Sequence, residues 1–327
     1  MRRAHSFSIV LLTALLGLAA CHREPAAPPN TTPEGAVRAD LVLTRNGDFD
    51  GLLRSTLPIA DYQAWRKEWE QAKGQQPAPT AQQRAQFAQM MQKLTEPGAE
   101  DKLYKQLQPQ LADFRKQHAK DMPMLIGILQ AAGNNIVQNS AELSASQKQQ
   151  ATEALTALAA WAQTADFTDA AKAKQAIGVI CDTARKLDLK TLDQLRVLDY
   201  AQTMKKYGEG WDGLKHLLKI YGLDLDASFD GARVETLSHD AAHARVRETF
   251  VLAGKPIVSE VNLVRQGGHW YDADRLAAWR KRHETTSASS AIESKPATPM
   301  IPPMPAPPSG ASSSFPTKPA AATTAGH

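Results

Sequence analysis

The chain has 327 residues, 43% of them hydrophobic, with 38 Lys and Arg against 34 Asp and Glu. That length suffices for one large or two ordinary domains, and the apolar fraction suffices for a packed core. A formal net charge of +4, partly supplied by Arg2 and Arg3, is too small for a nucleic-acid binder, and no basic face is interleaved with aromatics.

In chain order, residues 1–20 have the three parts of a secretion signal: a basic start at Arg2 and Arg3, an apolar core from Phe7 to Leu18, and the small pair Ala19-Ala20. The apolar core is shorter than the roughly 20 residues that a spanning helix needs. Leu18-Ala19-Ala20-Cys21 resembles the lipobox of bacterial lipoproteins. The resemblance implies that the Cys21 thiol carries acyl chains such as palmitate and that the peptide before it is removed. A thiolate is the side-chain nucleophile suited to that transfer near neutral pH. At about 0.8 kcal/mol per buried methylene, two or three chains hold a protein on a membrane almost permanently. His22 stands where the family's inner-membrane class carries Asp, which implies the outer membrane, facing the periplasm.

Residues 21–32 read as a Pro-rich tether and 33–76 as N-terminal helices. Thr32-Pro33 opens the first helix, with Val37, Leu41 and Thr44 on one face. Gly47 ends it and Asp48 caps a second. Tyr62, Trp65 and Trp69 form a stripe on a third, over Ile59 to Lys73. Across residues 77–227 every strong signal is helical. Thr80 with Gln83 and Ser144 with Gln147 make capping boxes. Met124 to Val137 is more apolar than the helices around it and is expected to be central. Further helices are expected near 168–187, 191–206 and 210–221. No fixed repeat period is present, and a scaffold of helical hairpins and a plain bundle both fit. Cys181 sits beside Ile177, Ile180 and Ala184 at helical spacing, as a buried small apolar residue would.

The period changes near Asp230. Arg233 to Leu237, Ala242 to Leu252, Ile257 to Arg265 and His269-Trp270-Tyr271 read as four antiparallel strands, followed by a closing helix over Arg275 to Arg282. The meander ending in Gly-Gly-His-Trp-Tyr, with the opening Pro33 to Val37 and Asn46 to Phe49, resembles nuclear-transport-factor-like and cystatin-like α+β domains. That resemblance implies that residues 228–284 pair with residues 33–76 in one cone-shaped unit, with the helical segment inserted between. The fold class expected is α+β, predominantly helical. Residues 285–327, rich in Ser, Thr, Ala and Pro, cannot bury enough surface to offset ordering and read as a disordered tail.

Catalytic signatures are scarce. His239 and His243 are four apart, but in alternating surroundings and without a third ligand, so no metal site is expected. No nucleophile elbow, phosphate loop or dinucleotide fingerprint occurs, and no cofactor is expected. By the cone-domain resemblance, Trp65, Trp69, Trp270 and Tyr271 line a ligand cup, or simply fill the cone. The leading expectation is a lipid-anchored envelope protein, not an enzyme, acting by contact with a protein partner in upkeep or assembly. The alternatives are an immunity lipoprotein that blocks a toxin, and a small-ligand binder.

Overall fold

Thr32 Oγ1 accepts a hydrogen bond from the Gly35 amide (3.0 Å) and Pro33 takes the first helical position, so helix α1 (Pro33–Asn46) starts without orphaned donors. The computed structural model describes residues 27–118, 121–140 and 143–290; the leader, Cys21 and residues 291–327 lie outside the described residues. Helix α1 ends on Gly47, whose φ of 67° is the left-handed conformation that glycine adopts freely. The Asp48 carboxylate then caps α2 (Phe49–Thr56) through the Gly51 amide at 2.8 Å, and α3 (Ile59–Gln75) follows.

The middle of the chain is helical. Helices α4 (Ala81–Thr95) and α7 (Ala145–Thr164) both begin in reciprocal capping boxes, Thr80 with Gln83 and Ser144 with Gln147. Between them lie α5 (Ala99–His118), which carries Pro109 inside it, and α6 (Met122–Asn139). Helices α8 (Ala170–Leu187), α9 (Leu192–Val197), α10 (Tyr200–Ile220) and α11 (Leu225–Asp230) complete the run. Cys181 is buried in α8 against Ala99 and Ile177, and burial pushes its thiol above the usual range. No described helix is long and apolar enough to cross a membrane.

Two expectations are corrected here. The helices expected at 191–206 and 210–221 divide elsewhere: α9 stops at Val197, and Asp199 with Gln202 caps a single helix that runs through Gly208 and Gly210. These glycines do not break the helix. Gly208 lies against Gly47, where an added Cβ would come within 2.7 Å of the Gly47 carbonyl oxygen. The apolar run Met124 to Val137 is not central. Helix α6 packs chiefly on α7, and only Ile126 of this helix is buried, so its outer side is left exposed among the described residues.

Four strands, β1 (Arg233–His239), β2 (His243–Leu252), β3 (Lys255–Gln266) and β4 (His269–Asp272), form one antiparallel sheet in chain order. Gly267 and Gly268, both at positive φ, make the tight turn into β4. One sheet face is apolar. Ala36 and Val37 of α1 bury against Val234, Val246, Leu263 and Trp270. Leu57 and Tyr62 bury against Tyr271, Leu276 and Trp279, the last two from the closing helix α12 (Ala273–Ser290). Each such side chain, fully buried, contributes about 1.5–3 kcal/mol. At the far end, Ala157 of α7 and Leu223 cover Leu252 and Ile257. The protein is α+β and mostly helical, with the sheet late in the chain. Helix α12 runs on to Ser290, so residues 285–290, expected in the tail, continue the helix.

Candidate functional site

A cavity of about 240 Å³ lies between α1, the inner face of β2 and β3, the start of α12 and the first turns of α7. Local pattern explains why two acids point into it. On α1 the core stripe runs Ala36, Val37, Leu41, and Asp40 falls four residues after Ala36 and three after Val37 on that same side. On β2 the inward positions are Ala244, Val246, Glu248, Phe250 and Leu252, by the two-residue period of a strand. Asp40 and Glu248 therefore interrupt two apolar faces that meet.

Their partners differ. Asp40 accepts a hydrogen bond from the Ser55 hydroxyl at 2.7 Å and lies 3.5 Å from the Arg275 guanidinium. Arg275 is shared with Asp272 at 3.7 Å, whose other oxygen caps α12 through the Arg275 amide. Glu248 has no hydrogen-bond donor among the described residues; its cross-strand neighbour is Ser259. Ser259 is 8% exposed, lines the cavity, and its hydroxyl likewise has no hydrogen-bond partner among the described residues. Two other acids reach the lining. Glu260 is engaged outside the cavity by Arg247 at 3.1 Å and Arg245 at 3.7 Å, and Asp274 sits in the first turn of α12.

Burial dominates the electrostatics. It pushes the Asp40 carboxyl up to about 6, with Asp272 adding to the rise while Arg275 and Ser55 oppose it. Burial likewise pushes Glu248 up to about 7, aided by the charge of Asp40 and opposed by Arg275. Near neutrality the two carboxyls exchange protons readily and can serve as counter-ions or as hydrogen-bond partners. Three carboxyls, those of Asp40, Glu248 and Asp272, share the single Arg275 guanidinium, so once all three are ionised the site carries net negative charge.

The four aromatics expected in a cup are divided. Trp270 and Tyr271 line the cavity. Trp65 and Trp69 stand edge-on to Tyr200 of α10 at ring-centroid distances of 5.6 and 5.2 Å, outside the lining, because the α3 stripe turns toward α10. Trp65 also touches the cluster that holds Tyr271, so the two groups are neighbours across one wall. His239 and His243 flank the β1–β2 turn, exposed, with His243 Nδ1 3.8 Å from Asp240. Among the described residues no three His, Cys, Asp or Glu side chains converge as metal ligands. The residues that the sequence reading missed are Asp40, Glu248, Ser259 and Arg275. A signal existed for two of them: an acid on an apolar helix stripe, and an acid at an inward register of a strand.

Neither protein-family models, nor curated protein sequences, nor solved structures give a match to this chain.

Proposed function

We propose that this is a lipid-anchored envelope protein whose α+β end binds a small molecule in the cavity between α1 and the sheet, without turning it over. The observation that carries the reading is the pair of partly buried carboxyls, Asp40 and Glu248, brought from positions distant in sequence onto one cavity, where desolvation raises both. A core of this size gains nothing from desolvating two acids, whereas a site that must hold and release a polar ligand does. The anchor is the acylated Cys21, and the likeness of the ends to cone-shaped domains agrees with a ligand-holding role. Native mass spectrometry of the full chain, extracted gently from membranes, tests it. A small molecule retained by the wild type and lost from Glu248→Gln is expected; bare protein in both would contradict the reading. Cys21→Ser should release the protein from membranes, and unchanged fractionation would remove the anchor.

A second reading, contact with a protein partner, is favoured by α6. From Met122 to Asn139 this helix carries no charged side chain, and Leu129 and Ile136 are 71% and 73% exposed. With Leu125 they form a stripe at helical spacing, and Met124 and Ile128 widen it. Contiguous apolar surface of that extent marks contact sites on soluble domains. Photo-crosslinks from a photoreactive residue placed on α6 of the membrane-attached protein should capture a partner and disappear when Leu129→Lys/Ile136→Lys is added. Crosslinks that persist in that variant, or no capture from α6, would count against it.

A further inference from the structure

From the unmatched charge and the unpartnered polar groups of the cavity, and resting on the ligand-binding reading above, we infer that its occupant is a small aliphatic amine, held by Asp40 and Glu248 through its ammonium groups. The cavity walls supply three things that such a molecule needs. The acids come from two directions, α1 and β2, so an ammonium between them is approached from both sides. Ser259, a buried residue whose hydroxyl has no hydrogen-bond partner among the described residues, lies across from Glu248 in the sheet register and can accept one further N–H. Val37, Leu41, Leu263 and Trp270 offer apolar wall against which methylenes pack.

Charge balance selects the sign of the ligand. Arg275 lies beside Asp40 and Asp272 and also acts on Glu248, so one guanidinium is spread over three carboxyls. An anionic ligand would add to that excess, and a neutral one would leave it. An organic cation is preferred to a metal ion, because the carboxylates enclose a space rather than converge on a point. Size agrees: a volume of about 240 Å³, roughly that of eight water molecules, seats a four- or five-carbon amine or diamine. Ammonium binding favours the ionised carboxyls, and Asp40 and Glu248 both titrate close to neutrality, so capture of the amine expels protons.

Thermal unfolding of the full chain at pH 7.5 tests this with three four-carbon probes: putrescine, butane-1,4-diol and succinate. Putrescine should raise the melting temperature in a saturable manner, and neither control should. In Glu248→Gln, an isosteric change, the midpoint concentration for putrescine should rise at least tenfold; Ser259→Ala, which should weaken binding severalfold, serves if the first variant does not fold. Calorimetry in buffers of different ionisation heat should register proton release on binding. Stabilisation by diol or succinate equal to that by putrescine would overturn the cation while leaving the cavity as a ligand site. A putrescine effect unchanged in Glu248→Gln and Ser259→Ala would place the amine elsewhere on the protein and overturn the inference. No response to any probe would remove the amine and weigh against the ligand-binding reading too.

Discussion

Glu248 occupies a position that strand alternation reserves for an apolar side chain, and among the described residues it has no donor to offset its partial burial there. Its carboxyl titrates at about 7 in the folded protein, above the ordinary 4.5. The folded state therefore binds the proton more tightly than the unfolded chain, and stability falls as pH rises through the interval between those values. Asp40 acts in the same sense, between its ordinary 3.8 and about 6. Glu248→Gln should consequently stabilise the protein at pH 8 by about 2 kcal/mol and do little at pH 4, as read by urea unfolding. A Gln variant that is less stable than wild type at both pH values would contradict the unpaired acid. Ser55→Ala removes the 2.7 Å hydrogen bond to Asp40, costs about 1 kcal/mol at neutral pH and drives the Asp40 carboxyl higher. At this scale the site was partly legible. Asp40 and Glu248 each break an apolar pattern that the sequence displays, whereas Arg275 and Ser259 become part of the site only through the meeting of strands and helices distant in sequence.

Among the elements, local signals carried most of the helices. The capping boxes at Thr80 and Ser144, the Asp48 cap and the Gly267-Gly268 turn stand where the residues place them. The failures were tertiary. A break was expected between residues 206 and 210, yet Gly208 continues α10 and gives Gly47 room to approach. Gly208→Ala thus sets two effects against each other. Helix propensity alone stabilises by up to about 1 kcal/mol, while an added methyl 2.7 Å from a carbonyl oxygen requires the backbones to part. Overpacking of this kind costs about 1–3 kcal/mol, so a net loss is expected in thermal unfolding; a more stable variant would show that the close approach is not needed. Helix α6 misled for the opposite reason. Its hydrophobicity implies a central place, and periodicity cannot tell a buried face from a face reserved for a partner. Leu129 is 71% exposed among the described residues, so Leu129→Lys should change the stability of the isolated protein by no more than about 0.5 kcal/mol. A loss of several times that would mean the stripe is covered within the protein.

For the whole molecule, the two ends of the folded region meet. Ala36 and Val37 lie against Val246 and Trp270, and Arg38 donates to the Val234 carbonyl across 196 positions of sequence. No periodicity in either segment announces that pairing. It was expected only from the likeness of the ends to a cone-shaped domain, and it is what encloses the cavity. Val246, fully buried on the inner face, joins the strands to α1; Val246→Ala should cost about 2 kcal/mol and weaken ligand retention together. The most direct measurement is carbon-13 NMR titration of the side-chain carboxyls in the full chain, with Asp40→Asn and Glu248→Gln to assign the two signals. Two carboxyls with midpoints of about 6 and about 7 are expected, both moving down when putrescine is added. If every carboxyl titrates below pH 5 and none responds to the amine, the acids are solvated and the cavity is not the site.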